Sequence, residues 1–218
     1  MCNTINPILK DAVERYMESE KAPRLSTVCA ILGIENKKGE TKDIEVGDTI
    51  EFELKNGEPM EAIAVKREDD GMLFCCLNCL EEEREMNKKS TNEGGYLHSD
   101  LRKYMIREVL ELFPDYIREL MVPFKHGDLV RIPTEKEIFG ENKYGNEEPE
   151  IKKQWEPMKK AMYRVASDRK EEYTKWYWLQ NAIKDTASYF AFVSYGGIAA
   201  YTYASIAFGV RPVFKIAI

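Results

Sequence analysis

Histidine is nearly absent from this chain, with two in 218 residues, and none of its five cysteines lies beyond Cys79. With so few histidines, a Ser-His-Asp or Cys-His arrangement has few possible members. His98 stands just before a helix start and His126 sits in the turn-forming KHGD, so both read first as turn residues. An odd number of cysteines, with Cys75, Cys76 and Cys79 together in CCLNC, does not make a disulfide framework. No run approaches the roughly 18 to 20 apolar residues of a membrane helix. No phosphate loop of the expected spacing is present either, because GGYLHSD lacks the lysine. The start, MCNTINPILKDAVERYM, has neither the basic beginning nor the uninterrupted apolar stretch of a secretory signal. The expectation is a chain made in the cytoplasm, with no signal peptide and no membrane partner; a phage particle protein carries the same signature.

What is present supports a packed domain. Apolar residues make up 44% of the chain and aromatics 11%, which argues against wholesale disorder. The formal charge of −6 argues against a general nucleic-acid binder, which needs a basic face. The length suits one large domain with a small appendage.

Residues 7–20, PILKDAVERYMESE, place Ile8, Leu9, Ala12, Val13 and Tyr16 on one stripe and predict a helix. LSTVCAILGI follows as a strand or a buried turn, and NKKGETKD is a polar linker. Residues 1–43 therefore read as an N-terminal helical extension, and 44–218 as the main domain. From residue 44 the period changes to two. IEVGDTIEFEL, EAIAVKRE and GMLFCCLNCL predict three strands of an antiparallel meander, separated by NGEP and EDDG. SDLRKYMIREVLELF predicts a helix capped by Ser99 or Asp100 and ended by Pro114, with a short helix over PDYIRELM. GDLVRIPTEKEIFG predicts a strand and a helix capped at Thr134; WEPMKKAMYRVASDRK predicts a helix over residues 158–165. YTKWYWLQNA, SYFAFVSY and FGVRPVFKIAI predict strands. The fold class is α+β, an antiparallel sheet with two or more flanking helices.

Six motifs in this order resemble a domain family common in clostridia and their phages: VGDTIEF, SDLRKY, IPTEKE, YWLQ, VSYGG and the closing GVRP, over residues 44–218. That family is similar to the C-type-lectin fold of sulfatase-modifying enzymes and of the variable proteins of diversity-generating retroelements. The resemblance implies that the closing strand pairs with the first strand of the domain, and that the segment before it displays a binding face. This chain reads Leu179-Gln180-Asn181-Ala182 where the family has Leu-Arg-Ser-Pro, so any role of that arginine is absent. With no cysteine after Cys79, the reactive pair of the sulfatase-modifying enzymes is missing. The lectin calcium motifs are missing too, Glu147-Glu148-Pro149-Glu150 being the nearest match. No metal and no cofactor are expected.

The remaining candidates each have a bland and a sharp reading. Cys75, Cys76 and Cys79 read first as core residues, with half a zinc site as the alternative. The loop ENKYGNEEPE reads as solvated. Alternation in WYW turns Trp178 inward and makes Tyr177 the surface candidate. The segment 185–214 has no Lys, Glu, Gln, Met or Trp, the residues that an AAC codon randomised at its adenines cannot encode. In it, Gly196 and Gly197 supply a hairpin turn, and Tyr201 and Tyr203 share a face opposite Thr202 and Ala204. These tyrosines either form a contact surface or cap a core with their hydroxyls in water. The leading reading is non-enzymatic binding of a protein or cell-surface ligand, in a phage- or retroelement-linked setting, through Tyr177, Tyr195, Ile198, Tyr201, Tyr203 and Ser205. An enzyme on the same scaffold and a structural assembly module are the alternatives; the sequence does not fix the oligomeric state. Sequencing codons 185–214 in the natural population is expected to show substitutions at a few Asn-type codons between constant flanks. A uniform sequence would remove the diversification.

Overall fold

The computed structural model describes residues 44–146, 153–167 and 173–217. The helical extension expected over 1–43, with its helix and its LSTVCAILGI segment, lies outside the described residues. The expected meander is formed by β1 (Thr49–Glu53), β2 (Pro59–Glu68) and β3 (Gly71–Cys76). In β1 only Ile50 and Phe52 turn inward, as befits a sheet edge, whereas every residue of β3 is buried. Next come β4 (Arg84–Glu85), α1 (Gly95–His98) and α2 (Asp100–Tyr104). The helix from α2 runs on through a π turn (Met105–Val109) into α3 (Leu110–Leu112), so the predicted long helix is present but locally widened.

SDLR shows its purpose here. Ser99 Oγ caps the helix by accepting from the Arg102 amide at 3.0 Å, and Leu101 enters the core. The Arg102 guanidinium forks onto both oxygens of Asp128 at 2.7 Å each, which anchors the helix to the KHGD turn. Then follow α4 (Asp115–Arg118), β5 (Val130–Arg131) and α5 (Glu135–Phe139), whose Thr134 and Glu137 form a reciprocal capping box. The helix expected over 158–165 is broken into a 3-10 turn (Pro157–Lys159) and α6 (Ala161–Arg164), after which β6 (Ala166–Ser167) begins. The chain continues through β7 (Thr174–Lys175), β8 (Tyr177–Ala182), β9 (Tyr189–Val193), β10 (Ala199–Tyr203), β11 (Ala207–Phe208) and β12 (Val213–Ile216).

Among the described residues, a five-stranded antiparallel sheet has the order β1-β2-β3-β12-β5, and a three-stranded one the order β10-β9-β8. The protein is thus α+β with mostly antiparallel sheets. The closing strand β12 lies between β3 and β5, not beside β1, which corrects the expected pairing with the first strand. The physical reason is the β1–β2 hairpin: β2 already occupies the free edge of β3, so β1 is left at the sheet margin.

The inner strands bury both faces, whereas the marginal strands β1 and β10 bury one. Phe74, Phe214 and Phe113 stack at 5.2 to 5.5 Å in a first core that also takes Trp178 and Phe192. Ile63, Leu73, Val213, Tyr177 and Leu179 belong to a second core. Alternation sends Cys76 to the first core and Cys75 to the second, where Cys79 joins it, although the strand itself ends at Cys76. Trp178 is buried as expected.

Tyr177 is not at the surface. Its exposure is 0%, and its hydroxyl donates to the Arg164 carbonyl at 2.7 Å and accepts from Arg211 Nη1 at 2.8 Å. Both WYW rings after Trp176 turn inward because β8 lies between the two cores and has no solvent face. Arg211, from GVRP, is equally buried; its Nε donates to the Cys76 carbonyl at 2.5 Å and its Nη2 to the Tyr163 carbonyl at 2.9 Å. Gly209 of the same motif is a close approach: a Cβ there would stand 2.7 Å from Cys79 Sγ and 2.8 Å from the Trp176 oxygen. Arg211→Lys keeps the charge but cannot reproduce the fork that spans the Cys76 and Tyr163 carbonyls. It should cost about 3 kcal/mol or more of unfolding free energy, read by denaturant titration; a loss within about 0.5 kcal/mol would show that the fork is not needed.

Candidate binding surface

The β9–β10 hairpin turns where the sequence placed it. The Ser194 amide donates to the Ile198 carbonyl at 2.9 Å, and Gly197 has a φ of 70°, a conformation that suits glycine. A Cβ on Gly197 would also press on Arg164 Cβ at 3.2 Å, so the turn rests directly on α6. This seating holds Tyr195 and Ile198 outward, at 56% and 67% exposure.

Along β10 the alternation is as expected. Tyr201 and Tyr203 are 47% and 50% exposed, while Ala204 after the strand is buried and Ser205 is half-buried in the following turn. Tyr201 lies opposite Ala191, and Tyr203 opposite Tyr189. The small Ala191 leaves room for the Tyr201 ring to lean between Tyr189 at 5.8 Å and Tyr144 at 5.0 Å. Tyr203 meets Tyr189 edge-on at 4.5 Å, and a hydrogen bond between their phenols raises the pKa of Tyr189. At the turn end, Tyr195 packs on Trp176 at 4.9 Å, and Trp176 in turn rests on Phe192 and Phe208 at 5.2 and 5.0 Å.

Five of the six predicted residues, Tyr195, Ile198, Tyr201, Tyr203 and Ser205, thus lie in the β9–β10 hairpin and the turn after it, with Tyr201 and Tyr203 on the Ala191 face and Tyr195 against Trp176; Tyr177 is in the core. The structure adds Tyr144, Tyr189 and Trp176. Tyr144 comes from the ENKYGNEEPE loop, read as solvated. A buried acid fixes its position: the Glu135 carboxylate accepts from the amides of Gly145 at 2.7 Å and Tyr144 at 3.2 Å. Asn181 Oδ1 in β8 accepts from the Glu135 amide at 2.7 Å, which ties the loop to the sheet. No signal in the sequence links Tyr144 to a strand more than fifty residues away. Tyr189 was legible as an alternating strand residue but was not singled out.

Burial, the larger effect, pushes the thiols of Cys75, Cys76 and Cys79 up, that of Cys79 to about 12. At neutral pH these are protonated core side chains, poor as nucleophiles or metal ligands. Among the described residues, no group of three His, Cys, Asp or Glu is placed to hold a metal ion, and no helix is long and apolar enough to cross a membrane. Comparison with family models, curated proteins and solved structures finds no match to this chain.

Burial also raises the pKa of Glu135, an effect opposed by the two amides. The folded protein thus holds this proton more tightly than the unfolded chain, so ionisation removes stability as pH rises from the ordinary carboxylate range through the folded value. Glu135→Gln keeps an acceptor for the loop and cannot ionise. Its melting temperature relative to wild type should climb as pH rises out of the ordinary carboxylate range, about pH 4, through the raised folded value; a constant difference would mean that Glu135 titrates as it does in water.

Proposed function

We propose that this protein is a non-enzymatic binding protein of C-type-lectin-like type. Its β9–β10 hairpin, with Tyr144 and Tyr189 beside it, presents a tyrosine surface to a protein or cell-surface ligand in a phage- or retroelement-linked setting. The observation that carries this reading is the exposure of four large side chains, Tyr195, Ile198, Tyr201 and Tyr203, along one hairpin. Large apolar side chains clustered in water are unusual on a protein that touches nothing. Tyrosine gives wide contact area with few rotatable bonds, so binding costs little side-chain entropy.

Two further facts support it. β10 is the outer strand of its sheet, yet it carries none of the lysines that usually guard an edge. The buried neighbours Gly197, Ala199 and Ala204 hold the hairpin, so the outward residues can vary without loss of the fold.

The triple variant Tyr195→Ala, Tyr201→Ala, Tyr203→Ala tests the reading. It should melt within a few degrees of wild type, as expected for exposed positions. Immobilised wild-type protein should retain a ligand from extracts of cells carrying the gene, and the variant should not. A variant that still retains that ligand, or that melts far below wild type, would sink the proposal.

A further inference from the structure

The sheet margins of this protein are defended unequally. β1 turns Glu51 and Glu53 outward, and β5 is only two residues long. β8 gives its Trp178 and Gln180 amides to the Gly209 and Pro133 carbonyls at 3.3 and 3.0 Å, and Gly145 bridges to Ile183 just beyond it. Charges, short strands and covering loops are the usual guards against strand-to-strand association. β10 has none of them. It is five residues long, pairs with β9 without a bulge, and among the described residues no strand or bridge lies on its outer side. Its sequence, AAYTY, contains no charge and no proline.

The hydrogen-bond phase of the hairpin shows which groups this margin offers. At one end the Ser194 amide donates to the Ile198 carbonyl at 2.9 Å, and at the other the Ala204 amide donates to the Ser188 carbonyl at 2.8 Å. An antiparallel ladder alternates, so residues 198, 200, 202 and 204 turn their backbone groups toward β9, and residues 199, 201 and 203 turn theirs away. The Tyr203 carbonyl accepts from the Ile206 amide at 3.1 Å and the Ala204 carbonyl from the Asn87 amide at 3.0 Å, which marks where the open margin ends. The tyrosine rings point the other way. Tyr201 leans over β9 toward Tyr189 and Tyr144, and Tyr203 meets Tyr189.

We propose that a second copy of this chain pairs with this margin, β10 against β10 about a two-fold axis at Tyr201, so that two three-stranded sheets become one. The outward groups are spaced evenly about Tyr201, and an antiparallel copy meets them in register. Each Tyr201 amide then donates to the other copy's Tyr201 carbonyl, and each Tyr203 amide to the other copy's Ala199 carbonyl. The side chains match in the same register. Ala199 falls opposite Tyr203, as Ala191 falls opposite Tyr201 within the chain, and Ala200 falls opposite Thr202. No like charges meet, because neither strand carries any. The strand is thus complementary to itself in backbone and in side chains, which is why a copy of the chain is the occupant. The tyrosine face stays in water and becomes continuous across the axis. The pairing goes beyond ligand binding by that face and does not depend on it.

Sedimentation of the full chain over a range of concentrations reads the mass. Wild type should pass from monomer to dimer and no further. Tyr201→Lys and Tyr201→Glu each set like charges face to face on the axis, and each should weaken the dimer by about tenfold or more. Tyr116→Lys, at an exposed position on α4, should leave it unchanged. An equimolar mixture of the two Tyr201 variants should recover the dimer, because Lys then faces Glu; a variant that merely misfolds is not rescued by its opposite. Assembly beyond the dimer, a dimer that neither Tyr201 variant weakens, or no recovery in the mixture would overturn the proposal. A monomeric wild type that still retains a ligand through its tyrosines would overturn it and leave the binding surface standing. A dimeric wild type whose ligand is also retained by the alanine triple variant would do the reverse.

Discussion

Arg211 carries a permanent charge where water does not reach, and its nitrogens have only backbone carbonyls and one phenol to turn to. Those acceptors come from the end of β3 at Cys76, from α6 at Tyr163 and from Tyr177 in β8. A buried guanidinium without partners is very costly, so the three segments must converge for the chain to fold at all. Their convergence joins the five-stranded sheet to the three-stranded one and holds α6 beside the β9–β10 turn. The closing Gly-Val-Arg-Pro is therefore an architectural clasp. Gly209 allows the contact with Cys79 and Trp176, Arg211 makes the fork, and the Pro212 carbonyl accepts from the Cys76 amide at 2.9 Å.

The outward tyrosines follow from that clasp. With both faces of β8 and most of β9 buried, solvent reaches this sheet only at β10 and at the loops beside it. Chain chemistry then decides what the solvent meets, and between Lys184 and Lys215 it offers no lysine or glutamate.

Much of the fold was legible in the sequence because local rules governed it. The alternation of Ile50 and Phe52, the Ser99 and Thr134 caps, the Gly197 turn and the split of Cys75 from Cys76 all rest on periods of two and on short-range hydrogen bonds. The tyrosine face of β10 was legible for the same reason. Tyr177 was misplaced because alternation states which residues share a face, and says nothing of whether the opposite face is also covered.

The sequence by itself determined the α+β class, the meander, the helix caps and a hairpin whose tyrosines share one side. Tertiary structure alone decided that β12 lies between β3 and β5, that Tyr177 is core, and that Glu135, tied to Asn181, holds the loop that brings Tyr144 to Tyr201. The physical reason is range. Periodicity and capping act over a few residues, whereas a buried fork and a loop tied to a distant strand join segments tens of residues apart, and no local pattern records those meetings.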